Sequence, residues 1–184
     1  QGKNVYWPRR EDTVDLDAIA YAEVGLEIAR QCQEQNIAPK YLYLAALDTT
    51  QAGLALSLAY LESPIKVRGF WPVPGQDDRH QDMANLANQA ARRLGLDIEL
   101  KPADFDNDDT FIGEGYGIPS PEGLNALRTL ARSEGILLDP VYTSKALAGL
   151  FAHAADGRLD GEAIFLHTGG SPALFAYAEE VLAE

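Results

Sequence analysis

Apolar positions along this chain fall into two alternating rhythms. "VDLDAIAYAEVGLEIARQCQEQ" (14–35) repeats them at helical spacing and predicts a long helix. "KYLYLAAL" (40–47) is a continuous apolar run and predicts a buried strand, with "TQAGLALSLAYLES" (50–63) as the helix that follows. "IKVRGFWPV" (65–73) predicts a second strand, "DDRHQDMANLANQAARRLG" (77–95) a helix whose acidic first turn suits its dipole, and "IEL" (98–100) a short strand. In "SPEGLNALRTLARSEG" (120–135), Ser120 is placed to cap a helix, Pro121 to open it and Gly135 to end it. "ILLDP" predicts a strand stub, "TSKALAGLFAHAADG" a helix, "AIFLHTGG" (163–170) a strand and turn, and "SPALFAYAEEVLA" the last helix. Apolar strands separated by helices imply a parallel sheet covered on both faces. The expected fold is therefore α/β, a single three-layer domain over residues 1–184 with a central parallel sheet.

Such sheets bind ligands at the carboxyl ends of their strands, where loops lead into helix N-termini. Three loops qualify: "LDTTQAG", "YGIPSPEG" and "HTGGSPA". Each carries glycine and hydroxyl residues, the makings of an anion cradle, although glycine after a strand is more often only turn chemistry.

Composition narrows the function. A formal net charge of −13 disfavours nucleic acid or an anionic membrane as partner, because phosphate contacts need clustered Lys and Arg. The single cysteine, Cys32, has no internal partner, which points to a reducing cytoplasm. The three histidines are scattered: His80 and His153 read as solvated helix positions and His167 as structural. "DFDNDD" lacks the glycine and terminal glutamate of a calcium loop and reads as an acidic turn, so no metal site is expected.

"GEGYGIPSPEGLNALRTLARSEGILLDPVYTSKALAGLF", followed by "IFLHTGGSPALFAY", resembles the pyridoxal-phosphate-dependent D-cysteine desulfhydrase and 1-aminocyclopropane-1-carboxylate deaminase family. The resemblance continues more weakly back through "TTQAGL" to the helix around Tyr21 and covers the C-terminal half or so of a family member. It implies the large domain of a tryptophan-synthase-β-like enzyme, pyridoxal 5'-phosphate as cofactor, and a small amino acid as substrate. It also implies roles for individual residues. Tyr116 and Tyr142 match the family's two tyrosines facing substrate and cofactor ring, where a phenol relays a proton or orients an amine and a neighbouring cation can lower its pKa. Thr143 and Thr168 match hydroxyl residues near the pyridine nitrogen, and Thr50, Gln51, Ala52 and Gly53 match the phosphate-binding loop. By residue type alone, Tyr142 reads rather as a core aromatic with a satisfied hydroxyl.

Two departures stand beside these matches. The family's cofactor-anchoring lysine lies in a "GGNK" motif of its N-terminal half, and Lys3 in "QGKN" is a poor substitute. The family's "SGSGGTQAG" reads "AALDTTQAG" here, so Asp48 either faces the phosphate or turns to cap the next helix. The chain alone is accordingly expected to be inactive. It is expected to act beside a complementary half or as a homo-oligomer, or else as a silent member that binds a small ligand or serves a structural role.

Overall fold

The computed structural model describes residue 2, residues 13–74 and residues 78–183. Lys3 lies outside them. Four parallel strands, β1 (Tyr41–Ala45), β2 (Lys66–Phe70), β3 (Asp106–Asp108) and β4 (Ala163–Leu166), form one sheet in the order β3-β2-β1-β4. The six α-helices among the described residues are α1 (Val14–Gln35), α2 (Thr49–Tyr60), α3 (Arg79–Leu94), α4 (Pro121–Glu134), α5 (Thr143–Ala155) and α6 (Ala178–Leu182).

Strand alternation sorts the core into two faces. Leu42, Leu44 and Ala46 point to one side and pack on Leu54 of α2, with Val24 and Ile28 of α1 beside them. Tyr41, Tyr43 and Ala45 point to the other and pack with Phe70 and Ala146 of α5. Helix α3 extends the first layer through Met83, Ala84, Ala87 and Ala91, and α4 backs α5 through Ala126 and Leu127. This is the three-layer α/β architecture that the apolar strands imply.

Helix α1 approaches α2 so closely that glycine is required at the crossing. A Cβ added to Gly53 would collide with the backbone carbonyl of Ala18 and the Cβ of Tyr21. Helix α4 begins as its sequence signals: the Ser120 hydroxyl accepts from the Gly123 N–H at 3.1 Å, Pro121 stands first, and Gly135 closes it with φ +69°.

Three local expectations are corrected. Residues 98–100 form no strand; the edge strand comes from the acidic run instead, with Arg68, Gly69 and Phe70 paired to Asp106, Asn107 and Asp108. Arg68 meets the Asp106 carboxylate at 2.6 Å, which offsets charge on that edge. "ILLDP" likewise forms no strand, and the C-terminal segment is a 3₁₀ stretch, Ser171–Tyr177, before the short α6.

His153 is a further correction, for it is buried with 1% of its surface exposed. Its Nδ1 lies 3.1 Å from the Tyr43 hydroxyl and its Nε2 3.2 Å from the Asp108 carboxylate. A carboxylate only accepts, so Nε2 carries the proton and Nδ1 accepts from Tyr43. Burial pushes the His153 pKa down, with the Asp108 bond opposing. Asp108 itself sits below the usual carboxylate range: burial raises it, but bonds from the Thr110 hydroxyl and N–H and from His153 outweigh that.

A histidine with a lowered folded pKa binds its proton more readily when unfolded, so stability falls as pH drops through its unfolded value of ~6.5. Urea unfolding between neutral pH and about pH 5.5 should show this slope, and a His153→Gln variant should show a flatter one. Equal slopes would place the titration elsewhere. His80 is half-buried rather than solvated, with Nε2 3.2 Å from Asn107 Oδ1 and its ring against Trp71.

Candidate functional site

At the carboxyl edge of the sheet, a cavity of about 410 Å³ opens between the end of β1, the start of α2 and the loop after β4. Its walls include Ala46, Leu47 and Asp48 after β1, Thr49 and Thr50 of α2, Tyr142 ahead of α5, and Thr168, Gly169 and Gly170 after β4. Asp17 and Tyr21 of α1 complete it. The loops 48–53 and 168–172 thus meet at one edge of the sheet, the placement that parallel topology favours for ligand binding.

Asp48 takes the capping alternative. Its Oδ1 accepts from the Thr49 N–H at 2.5 Å and from the Thr49 hydroxyl at 3.2 Å. A helix's first turn has leading N–H groups without intrahelical acceptors, and the carboxylate satisfies one of them. Among the described residues those of Thr50 and Gln51 have no hydrogen-bond acceptor, which suits an anion. Asp48→Ala should therefore cost about 1 kcal/mol of stability, and Asp48→Gly only a few tenths, in thermal unfolding. Indistinguishable Ala and wild-type proteins would show the cap to be idle.

The other residues of the "TTQAG" loop divide. Thr50 lines the cavity. The Gln51 side chain is fully buried and turned away, donating to the Asp106 carbonyl and accepting from Asn107. The Ala52 N–H donates to the Asp48 carbonyl at 3.1 Å, and Gly53 faces α1. Gln51 has only its backbone to offer a ligand, and nothing in the packing turns Ala52 or Gly53 toward the cavity.

Tyr142 and Tyr116 come together as the tyrosine pair: their hydroxyls are hydrogen-bonded, and the rings meet edge to face with centroids 5.8 Å apart. Burial, and then the bond to Tyr116, push the Tyr142 phenol up to about 12. The sequence allowed the opposite direction, a pKa lowered by a nearby cation. Lys145, the basic side chain one turn along α5, is instead directed at backbone carbonyls. At neutral pH Tyr142 is thus a neutral O–H donor.

Asp139 sets Tyr142. Fully buried, its carboxylate accepts from the N–H groups of Val141 and Tyr142, each at 2.8 Å, and from the Thr143 N–H at 2.9 Å. Thr143 also donates its hydroxyl to Asp139 at 2.7 Å. Thr143 is buried in this turn, where its hydroxyl bonds Asp139 at the start of α5. Thr168 lines the cavity. Beside it, Gly170 has φ +84° and packs so tightly on Asp139 that an added Cβ would lie 2.7 Å from its Cγ. The glycine loop after β4 is thereby locked to the group that sets Tyr142.

His167 is held on both nitrogens: Nδ1 accepts from the Gly169 N–H at 3.1 Å, so Nε2 donates to the Leu137 carbonyl at 2.9 Å. Asp139 is not among the residues that the resemblance marks. The signal for its role was the Asp139-Pro140 turn followed by a hydroxyl at Thr143, a pattern that folds back on the preceding carboxylate.

Similarity to known proteins follows the same outline. A family model described as "Pyridoxal-phosphate dependent enzyme" matches residues 1–169. Among solved structures, an ACC deaminase homologue is 31% identical, with a TM-score of 0.79 over 90% of this chain and 49% of that one. Threonine deaminase isoform 2 from Solanum lycopersicum (13% identity, TM-score 0.56, 90% of this chain and 48% of that one) shares the fold. So does a fungal L-serine ammonia-lyase from Rhizomucor miehei (13% identity, TM-score 0.57, 89% and 55%). The chain spans about half the length of each.

Proposed function

The chain belongs to the pyridoxal-phosphate-dependent enzyme family, and from that premise we propose that it forms the cofactor-binding part of a deaminase or lyase of the D-cysteine desulfhydrase and aminocyclopropane-carboxylate deaminase type, acting on a small amino acid. The observation that carries this reading is the tyrosine pair at the cavity, with Tyr142 on its wall.

The donor set fits the family's cofactor. The N-terminus of α2 with Thr50 would receive the phosphate, and Thr168 with the bare backbone of Gly169 and Gly170 would border the ring. Pyridoxal phosphate supplies the electron sink when bound. The chain's own part is to orient the substrate. Tyr142, neutral and partly buried, donates a hydrogen bond or a proton at its hydroxyl, and Tyr116 holds that hydroxyl in place. Ala45, Ala46 and Pro72 add apolar wall to the cavity beside these groups.

On this reading the anchoring amine comes from the family's "GGNK" half, as a complementary lysine-bearing part of a cytoplasmic assembly. A second reading, a silent member that binds a small ligand, is favoured by one observation: the Asp48 carboxylate lies at the cavity's anion end.

Titration of the isolated chain with pyridoxal phosphate separates the two. Reversible binding competed by inorganic phosphate, without the spectral change of covalent attachment to lysine and without turnover, is expected. Sedimentation of the same samples reports whether the chain associates with itself. No binding at any concentration would favour the silent reading, and turnover by the isolated chain would overturn the need for a second half.

A further inference from the structure

We propose that Lys145 and Tyr177 are positioning residues that hold Tyr116 against Tyr142 by gripping the backbone on both sides of it. The inference rests on the reading of those two phenols as the substrate-facing pair.

Tyr116 has no regular structure of its own to hold it. It stands between β3 and α4 in a segment without helix or strand, 55% exposed, between Gly113 and Gly117 with φ of +72° and +75°. Backbone of that kind keeps a fixed shape only where other elements bind its polar groups. Two do. Lys145, 1% exposed, donates from Nζ to the Ile112 carbonyl at 2.6 Å and to the Gly115 carbonyl at 3.0 Å. From the other side the Tyr177 hydroxyl donates to the Gly117 carbonyl at 2.7 Å. The carbonyls immediately before and after Tyr116 are both occupied.

The cost of burying an ammonium argues that Lys145 does more than fill space. An apolar residue would pack there without that penalty, and only a multiple donor can bind two carbonyls at once. Burial pushes its pKa down, with the Asp139 carboxylate opposing. Helix α5 is thus the common frame. Tyr142 stands at its N-cap, and Lys145 one turn later ties down the loop that brings the second phenol. Tyr177 ends the 3₁₀ segment that starts after Gly170, so the same loop is also tied to the chain bordering the cavity through Thr168 and Gly169.

Ring–ring nuclear Overhauser contacts in the folded, ligand-free chain at neutral pH test this, with resonances assigned from Tyr116→Phe and Tyr142→Phe. The wild-type protein should show the contact between Tyr116 and Tyr142, at 5.8 Å between centroids, and the core contact between Tyr43 and Phe70, at 5.9 Å. Tyr177→Phe and Lys145→Met should each abolish the first and keep the second, a pattern that general loss of stability does not produce. If Lys145→Met unfolds, the Tyr43–Phe70 contact disappears as well, and Tyr177→Phe, which removes a single hydroxyl, decides the proposal alone. A Tyr116–Tyr142 contact that survives in Tyr177→Phe, or in a folded Lys145→Met, overturns it. Because no ligand is present, failure of cofactor binding leaves this result untouched.

Discussion

Replacing Tyr142 with phenylalanine, in the chain assembled with a lysine-bearing half, should lower turnover of a small amino acid by about 10²- to 10⁴-fold, the range for loss of a positioned proton donor. Cofactor binding should change far less, because on the proposed reading the phosphate is received by Thr50 and the start of α2 and not by this phenol. The phenol is pushed up to about 12, so it stays protonated through the neutral range. The shape of the pH–rate profile below about pH 10 should therefore be unchanged in Tyr142→Phe, with only its height reduced. Steady-state kinetics across pH checks both points. A variant that keeps wild-type turnover but loses cofactor affinity would make Tyr142 a binding residue and nothing more. Tyr116→Phe should have the smaller effect, since Tyr116 acts on Tyr142 and is itself half-exposed.

Gly53→Ala is the second large effect, and it falls on stability. The added methyl would collide with the Ala18 carbonyl, the Tyr21 Cβ and the Ala22 nitrogen, two of which are backbone atoms that cannot swing aside. Helices α1 and α2 would have to move apart, disturbing the cluster of Ala18, Ala52, Leu56 and Met83. Overpacking of this kind costs about 2–3 kcal/mol. Urea unfolding should show that loss while the folded protein keeps its affinity for inorganic phosphate. Normal stability with lost phosphate affinity would instead return Gly53 to the anion cradle where the loop resemblance placed it.

These two expectations rest on different physical causes. Tyr142 was marked by the motif in which it stands, and the structure places it on the cavity wall. Gly53 was marked by the same kind of resemblance, yet its structural reason is the crossing of two helices. A motif records that a residue type recurs at a place; packing tells whether the cause is a ligand or a neighbour. Thr143 makes the point again, because its hydroxyl bonds the buried Asp139.

The chain's apolar rhythm by itself determined the fold class, the order of helices and three of the four strands, and the caps of α4. These are local matters: helical spacing, short continuous apolar runs and the preferences of Ser, Pro and Gly act over a few neighbouring residues. The edge strand at Asp106–Asp108 escaped because a short polar edge has no apolar period to read, and only pairing with β2 makes it a strand. The burial of His153 escaped for a related reason. A histidine near a helix end reads as solvated until Tyr43 of β1 and Asp108 of β3, 110 and 45 residues away, supply its two partners. The same holds at the site. Lys145, Tyr177 and the loop of Tyr116 meet across separations of 30 to 60 residues, and the interactions that hold them are hydrogen bonds to backbone carbonyls, which every residue carries alike. Side-chain identity along the chain says nothing about which carbonyl will be met, so that choice belongs to the tertiary structure alone.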